Sequence, residues 1–284
     1  MLKSATLDLN SNLRPQSLIF TLFGDYIRHR SERVWVGTLV KLLALFDVSE
    51  PAVRSAVSRM TRRDWLKNQR DDNTSYYALT PESHQIISEG AERIFHFPEP
   101  ITHWDSCWHL VTYSIPEDKR EGRDFFRNEL VLLGFGNLTN AVWVSPRDNR
   151  ARVQQLVASL NLDPFVQMFY GQMEGQTDCS EMVARCWNLA TINCEYSQFI
   201  EKYGASLNDF QARLDAHTAI DPSEYFVRRF MLMHEYRRFP YRDPQLPNEL
   251  LPHDWHGAQA ATLFHKYHDL LAKGANQYFD SVFR

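Results

Sequence analysis

Residues Thr38 to Arg70 hold, in order, an apolar stretch, a tight break, a basic amphipathic stretch and a strand–turn–strand pattern. Few folds accept that order. Thr38-Leu-Val-Lys-Leu-Leu-Ala-Leu-Phe46 reads as a helix, and Asp47-Val-Ser49 as a turn with Ser49 placed to cap the next helix. From Glu50 to about Asp64, Val53, Ala56, Val57 and Met60 recur at i, i+3, i+4 and i+7, which predicts one buried stripe. The opposite face collects Arg54, Ser55, Ser58, Arg59 and Arg62, with Arg63 close behind. From a helix lying in a major groove, such side chains reach guanine edges and phosphate oxygens. Trp65 to Arg70 and Ser75 to Thr80 predict a hairpin around Asp71-Asp-Asn-Thr74, and Ile19, Leu22, Phe23, Tyr26 and Ile27 predict an earlier helix. The expectation is a winged helix-turn-helix over residues 1–97 whose partner is duplex DNA. Arg54 and Arg59 are the candidates for base readout, and Arg62, Arg63, Lys67 and Arg70 for phosphates. Thr38, Ser55 and Ser58 complete the expected contact set.

Charge agrees with a local reader rather than a general nucleic-acid coat. The 284-residue chain has a net charge of −4. Residues 1–97 hold 13 Lys plus Arg against 11 Asp plus Glu, so the remainder carries −6. Between Glu50 and Arg70 six basic residues meet two acidic ones. The positive field is therefore confined to one short segment, and binding through it should be steeply salt-dependent.

Beyond Pro98-Glu-Pro100, which cannot continue a helix, the pattern changes. Trp108 to Ile115 reads as a strand, Glu117 to Leu133 as a helix with Phe125, Phe126 and Leu130 inward, and Gly134 to Val144 as two short strands. Asn149 to Leu160 returns to helix and Phe165 to Tyr170 to strand. The order βαββαβ predicts a ferredoxin-like domain over 98–174. Residues 175–284 read as a helical domain, with helices over Glu181–Ile192, Glu195–Tyr203, Ser223–Phe239 and Gly257–Phe279 and a Pro-punctuated stretch before the last. The fold class expected is α+β and multidomain.

No apolar run reaches the ~18 residues of a membrane span, and the N-terminus lacks a secretory pattern. Cys107, Cys179, Cys186 and Cys194 form no CxxC pair and suit reduced thiols in a cytoplasmic protein. His253, His256, His265 and His268 lack the companions and spacing of a zinc set, His234-Glu-Tyr-Arg-Arg238 fails HExxH at its last position, and no GxSxG or Walker loop is present. Neither catalytic residues nor a resident cofactor or metal are expected.

Several stretches resemble the PaaX family of repressors of phenylacetate catabolism. They are Ser17-Leu-Ile-Phe-Thr-Leu-Phe-Gly-Asp-Tyr26, Ala52-Val-Arg-Ser-Ala-Val-Ser-Arg-Met60 with Trp65-Leu66, and Val142-Trp-Val-Ser-Pro146. The most distinctive runs from His234 to Trp255. The resemblance implies a homodimer on operator DNA, released by phenylacetyl-CoA, with a Cas2-like middle domain. A nuclease of that type would place an acid at the end of the first strand, where this chain reads Tyr113-Ser-Ile-Pro116 with Glu117 and Asp118 beyond. Scaffold and dimer contacts are therefore expected there. Family wing tips are often Gly/Arg-rich, whereas Asp71-Asp72-Asn73 would be repelled by phosphates. An acyl-CoA needs cations for phosphates and an aromatic slot for its acyl end. Arg228, Arg229, His234, Tyr236, Arg237, Arg238, Arg242 and Trp255 are the candidates, with structural ion pairs, such as Arg242 with Asp243 or Asp254, as the alternative use of the same residues. Two rival functions remain open: a related regulator answering a different acyl-CoA or aromatic ligand, or an enzyme acting on CoA thioesters or nucleic acid with a DNA-targeting domain.

Overall fold

The computed structural model describes residues 14–71, 74–98, 103–174 and 178–283. They form two compact units, neither continuous in sequence. The first comprises 1–97, 199–238 and 259–284, the second 98–198 and 239–258. The expected third domain over 175–284 is thus divided between the two rather than standing alone.

In the first unit, α1 (Pro15–Asp25) is followed by β1 (Arg33–Trp35), α2 (Val36–Ala44) and α3 (Glu50–Arg62). Asp47, between α2 and α3, adopts φ 59°, and Asp64, just after α3, adopts φ 61°. Asp tolerates this left-handed region better than most residues. One aspartate turns the chain out of a helix into the next, the other out of a helix into a strand. Pro51 sits in the first turn of α3, where its missing N–H costs nothing. Ser49 holds the cap position in extended backbone, but its side chain makes no capping hydrogen bond.

The hairpin of β2 (Leu66–Asp71) and β3 (Thr74–Leu79) pairs Leu66 with Leu79 and Asp71 with Thr74. β1 adds to the other side of β3, with Arg33 opposite Ala78 and Trp35 opposite Tyr76. Then α4 (Pro81–Phe95) starts at Thr80, whose hydroxyl accepts from the Ser83 amide at 3.3 Å. The core beneath α1, α2 and α3 is apolar, and Phe226, Phe230, Ala275 and Phe279 from much later in the chain belong to it.

The second unit holds β4 (Trp108–Tyr113), α5 (Arg120–Leu132), β5 (Gly136–Thr139), β6 (Val142–Ser145), α6 (Arg150–Ser159) and β7 (Val166–Gly171). The sheet is antiparallel in the order β5-β6-β4-β7. Alternation along β4 separates two cores. Val111 and Tyr113 join Phe126 and Leu130 of α5 and Val153 and Val157 of α6. Trp108 lies on the other face with Val144, Leu246 and Leu250, and with Met182 and Val183 of α7 (Cys179–Cys186). Gly134, at φ +83°, turns the chain after α5, and a Cβ there would stand 2.9 Å from the Pro244 carbonyl oxygen.

α8 runs unbroken from Leu189 to Asp215, where the sequence predicted a break before Glu195 and an end at Tyr203. Tyr196, Phe199, Tyr203, Leu207 and Phe210 are all buried along it, so one apolar stripe carries the helix past Gly204. α9 (Pro222–Tyr236) is capped by Asp221, which accepts from the Ser223 amide at 2.8 Å. The short α10 (Phe239–Arg242), a strap to Trp255 and α11 (Gly257–Val282) complete the chain.

Candidate nucleic-acid interface

The stripe predicted for α3 is buried: Val53, Ala56, Val57 and Met60 are at most 1% exposed. A helix fixed on one side presents its other side, and Arg54, Ser55, Ser58, Arg59, Arg62 and Arg63 are all exposed. Lys67 and Arg70 are exposed on β2. Arg54 Nε donates to Glu50 Oε1 at 2.7 Å, and Arg59 Nη1 donates to the Ser55 hydroxyl at 2.7 Å. Both contacts run along the helix surface between exposed partners, so they orient the guanidinium groups without desolvating them.

Thr38 is the exception in the expected set. It is fully buried, and its hydroxyl donates to the Val282 carbonyl at 3.4 Å. Thr38 packs the protein and has no path to DNA.

The β2–β3 hairpin carries a feature with no counterpart in the sequence pattern. Arg33 Nη2 lies 3.1 Å from Asp71 Oδ2, and its guanidinium sits 4.5 Å from the centre of the Tyr76 ring. The Asp71 charge is thus paired within the sheet rather than left facing solvent alone. Asp72 and Asn73, the rest of the expected acidic tip, lie outside the described residues. Arg33 gives no signal because β1 is three residues long, too short for a period to show.

The residues expected around an effector are divided between the units: 228 to 238 fall in the first, Arg242 and Trp255 in the second. Arg229 is buried and grips Asp25 through two hydrogen bonds of 3.0 and 3.2 Å, with His268 Nε2 3.4 Å from the same carboxylate. Burial alone would raise the Asp25 carboxyl. His268 and the Arg229 charge outweigh it and hold Asp25 below the usual carboxylate range. Arg237 is buried with Nη2 2.6 Å from the Ser17 hydroxyl, and Tyr236 stacks fully buried on Phe264. Arg228 bonds Glu224 at 2.8 Å, Asp209 at 3.1 Å and the Ser206 hydroxyl at 2.8 Å. His234 Nδ1 lies 2.8 Å from the Thr21 hydroxyl; burial, then the Arg237 and Arg238 charges, push the imidazole down to about 3, so it is neutral.

These contacts correct the expected phosphate cluster. Arg228, Arg229 and Arg237 are structural ties, and Tyr236 is core. The only hint in the sequence is a carboxylate, Asp25, set inside the apolar stripe of α1.

In the second unit Arg242 pairs with Glu195, not with Asp243 or Asp254. Asp243 is buried and accepts from the Tyr196 hydroxyl at 2.7 Å and the Gln245 amide at 2.6 Å. Trp255 lines a groove with Trp187 and Arg185, but Asp178, Glu249 and Asp254 line it too. That balance opposes a polyphosphate. Glu117, the first acid beyond β4, is paired with Arg123 at 2.9 Å. Among the described residues no group of three or more His, Cys, Asp or Glu is placed to hold a metal ion, and no helix is long and apolar enough to cross a membrane.

Three family profiles cover most of the chain: PaaX-like protein over residues 14–83, the PaaX protein central Cas2-like domain over 101–183, and the PaaX-like protein C-terminal domain over 187–281. The chain is 31% identical over 250 residues to the transcriptional repressor PaaX of Escherichia coli K12, an alignment spanning 87% of this chain and 77% of that one. An uncharacterized protein of Mycobacterium tuberculosis shares the fold with a TM-score of 0.54 at 24% identity, over 95% of this chain and 99% of that structure. With every profile in chain order and the E. coli relative aligned across most of both lengths, the chain belongs to the PaaX family.

Proposed function

We propose that this protein is a cytoplasmic, homodimeric transcriptional repressor of aromatic-acid degradation genes that binds operator DNA and leaves it on binding phenylacetyl-CoA. One observation carries the reading: α3 is anchored by a buried apolar stripe while its arginines and serines stand exposed together on the other face. α2, the turn at Asp47 and α3 then serve as the helix-turn-helix, the β1-β3-β2 sheet as the wing, and the β5-β6-β4-β7 sheet with α5 and α6 as a ferredoxin-like scaffold. Arg54 and Arg59 read bases; Arg62, Arg63, Lys67 and Arg70 hold phosphates. The protein acts by binding, not catalysis. Release requires only that the thioester favour the arrangement that cannot engage DNA.

Fluorescence anisotropy on upstream duplex, titrated with acyl-CoA thioesters and free acids, tests the reading. Salt-sensitive binding reversed by phenylacetyl-CoA supports it. Absence of sequence preference sinks the repressor assignment, and release by another thioester alone reassigns the effector. Arg242 and Trp255, both in the second unit, are the residues to vary for the effector. Normal release after substituting them places it elsewhere.

A further inference from the structure

A hydroxyl inside a helix commonly donates to the carbonyl four residues back, turning its polarity onto its own backbone. Thr21 in α1 does so to the Ser17 carbonyl at 3.2 Å, and Thr61 in α3 to the Val57 carbonyl at 3.0 Å. Ser55, earlier in α3, does not. Its oxygen faces forward along the helix and accepts from Arg59 Nη1 at 2.7 Å, and among the described residues its own O–H meets no acceptor. Both residues are exposed, on the side of α3 away from the buried stripe. A hydroxyl with an uncommitted hydrogen therefore stands beside a tethered guanidinium on the face assigned to DNA.

The tether gives the pair one chemical sense. A guanidinium carries donors only, and an oxygen already accepting from a cation donates more strongly and accepts less readily. Ser55 and Arg59 together thus offer N–H and O–H groups and little that can receive one. In the major groove only guanine turns two acceptors, N7 and O6, toward such a surface. Cytosine and adenine each present an amino donor there that the pair cannot satisfy. The tether also decides where Arg59 works. An unheld arginine reaches phosphate as readily as a base, whereas one held by a short side chain a turn back stays over the helix surface. In a major groove that surface is what lies against base edges.

We propose that Ser55 is a specificity-determining residue, joined to Arg59 as one donor unit that selects a guanine in the operator. The proposal rests on the DNA-reading assignment above and names the base that this part of α3 reads.

Selection of duplexes from a randomised pool with the full chain, followed by anisotropy on the selected sequence, tests it. The wild type should enrich a guanine whose replacement by 7-deazaguanine, which lacks only the N7 acceptor, weakens binding about tenfold. In Arg59→Ala the same replacement should be silent, which identifies the position. Ser55→Ala should bind the selected duplex about fivefold more weakly and lose most of that discrimination, with scrambled duplex, circular dichroism and Tm unchanged. Alanine is the better helix former, so fraying of α3 would not account for the loss. Ser55→Thr, which restores the hydroxyl, should recover it, and Ser55→Ala/Arg59→Ala should be no weaker than Arg59→Ala. Full discrimination in Ser55→Ala, or equal losses on selected and scrambled duplex, overturns the role of Ser55 and leaves DNA reading standing. Discrimination that survives Arg59→Ala at every guanine overturns the donor unit in the same way. A wild type that enriches no sequence overturns both readings.

Discussion

Arginine stands in two opposite settings in the first unit, one exposed and one buried. Arg54 is exposed, lightly held by Glu50, and able to exchange that contact for a base edge. Arg54→Ala should therefore relax sequence preference, costing ~1–3 kcal/mol on the cognate operator and little on scrambled duplex. Equal losses on both in anisotropy would make it a phosphate contact. Arg229 is buried against Asp25 and the Tyr26 ring, 4.8 Å from its centre. Arg229→Met leaves a carboxylate buried beside apolar neighbours and should lower unfolding free energy by about 3–5 kcal/mol in urea titration. A loss under about 1 kcal/mol, the range of exposed pairs, would show that Asp25 finds water instead. Nothing in the sequence around 228–242 tells these uses apart. Both kinds of arginine sit at helical spacing near aromatics, and only the distant Asp25 and Ser17 reveal which are already committed.

Elements with a long repeat are legible in the sequence and elements without one are not. α3 announces itself because four apolar residues, Val53, Ala56, Val57 and Met60, recur on one face over its 13 residues. The βαββαβ order of the second unit is legible for the same reason, since each strand and helix has its own period. β1 is three residues, and the full length of α8 is hidden because polar and Gly residues interrupt a stripe whose spacing persists. The undetected β1 changes the charge balance of the hairpin. With Arg33 paired to Asp71, the carboxylate neutralises a cation that would otherwise be free beside the hairpin. Asp71→Ala should leave operator binding level or tighten it, and should steepen the salt dependence by releasing Arg33 toward phosphate. Weaker binding of Asp71→Ala in anisotropy at two salt concentrations would mean that the pair positions the wing for contact.

At the scale of the whole chain, the α1–α3 segment does not have a core of its own. Phe226, Phe230, Ala275 and Phe279 fill the space under α1 to α3, and the polar ties Asp25–Arg229, Ser17–Arg237 and Thr21–His234 join the same distant segments. Those ties make the first unit sensitive to acid, and two groups set the direction. His234 titrates near 3 when folded, below the ordinary 6.5 to which unfolding returns it. The unfolded chain therefore binds more protons between those values, and stability falls as pH drops through that window. Each unit of pH there costs at most about 1.4 kcal/mol from this single imidazole. Asp25, also held low, adds its loss only further down, as pH falls below its ordinary 3.8. Between pH 7 and 5 the histidine acts alone of the two. Comparing urea midpoints at those values, His234→Gln should lose about 2 kcal/mol less than the wild type over the interval. Parallel losses in the two proteins would show that His234 stays accessible to protons in the folded state, and that the tie to Thr21 does not hold α9 against α1.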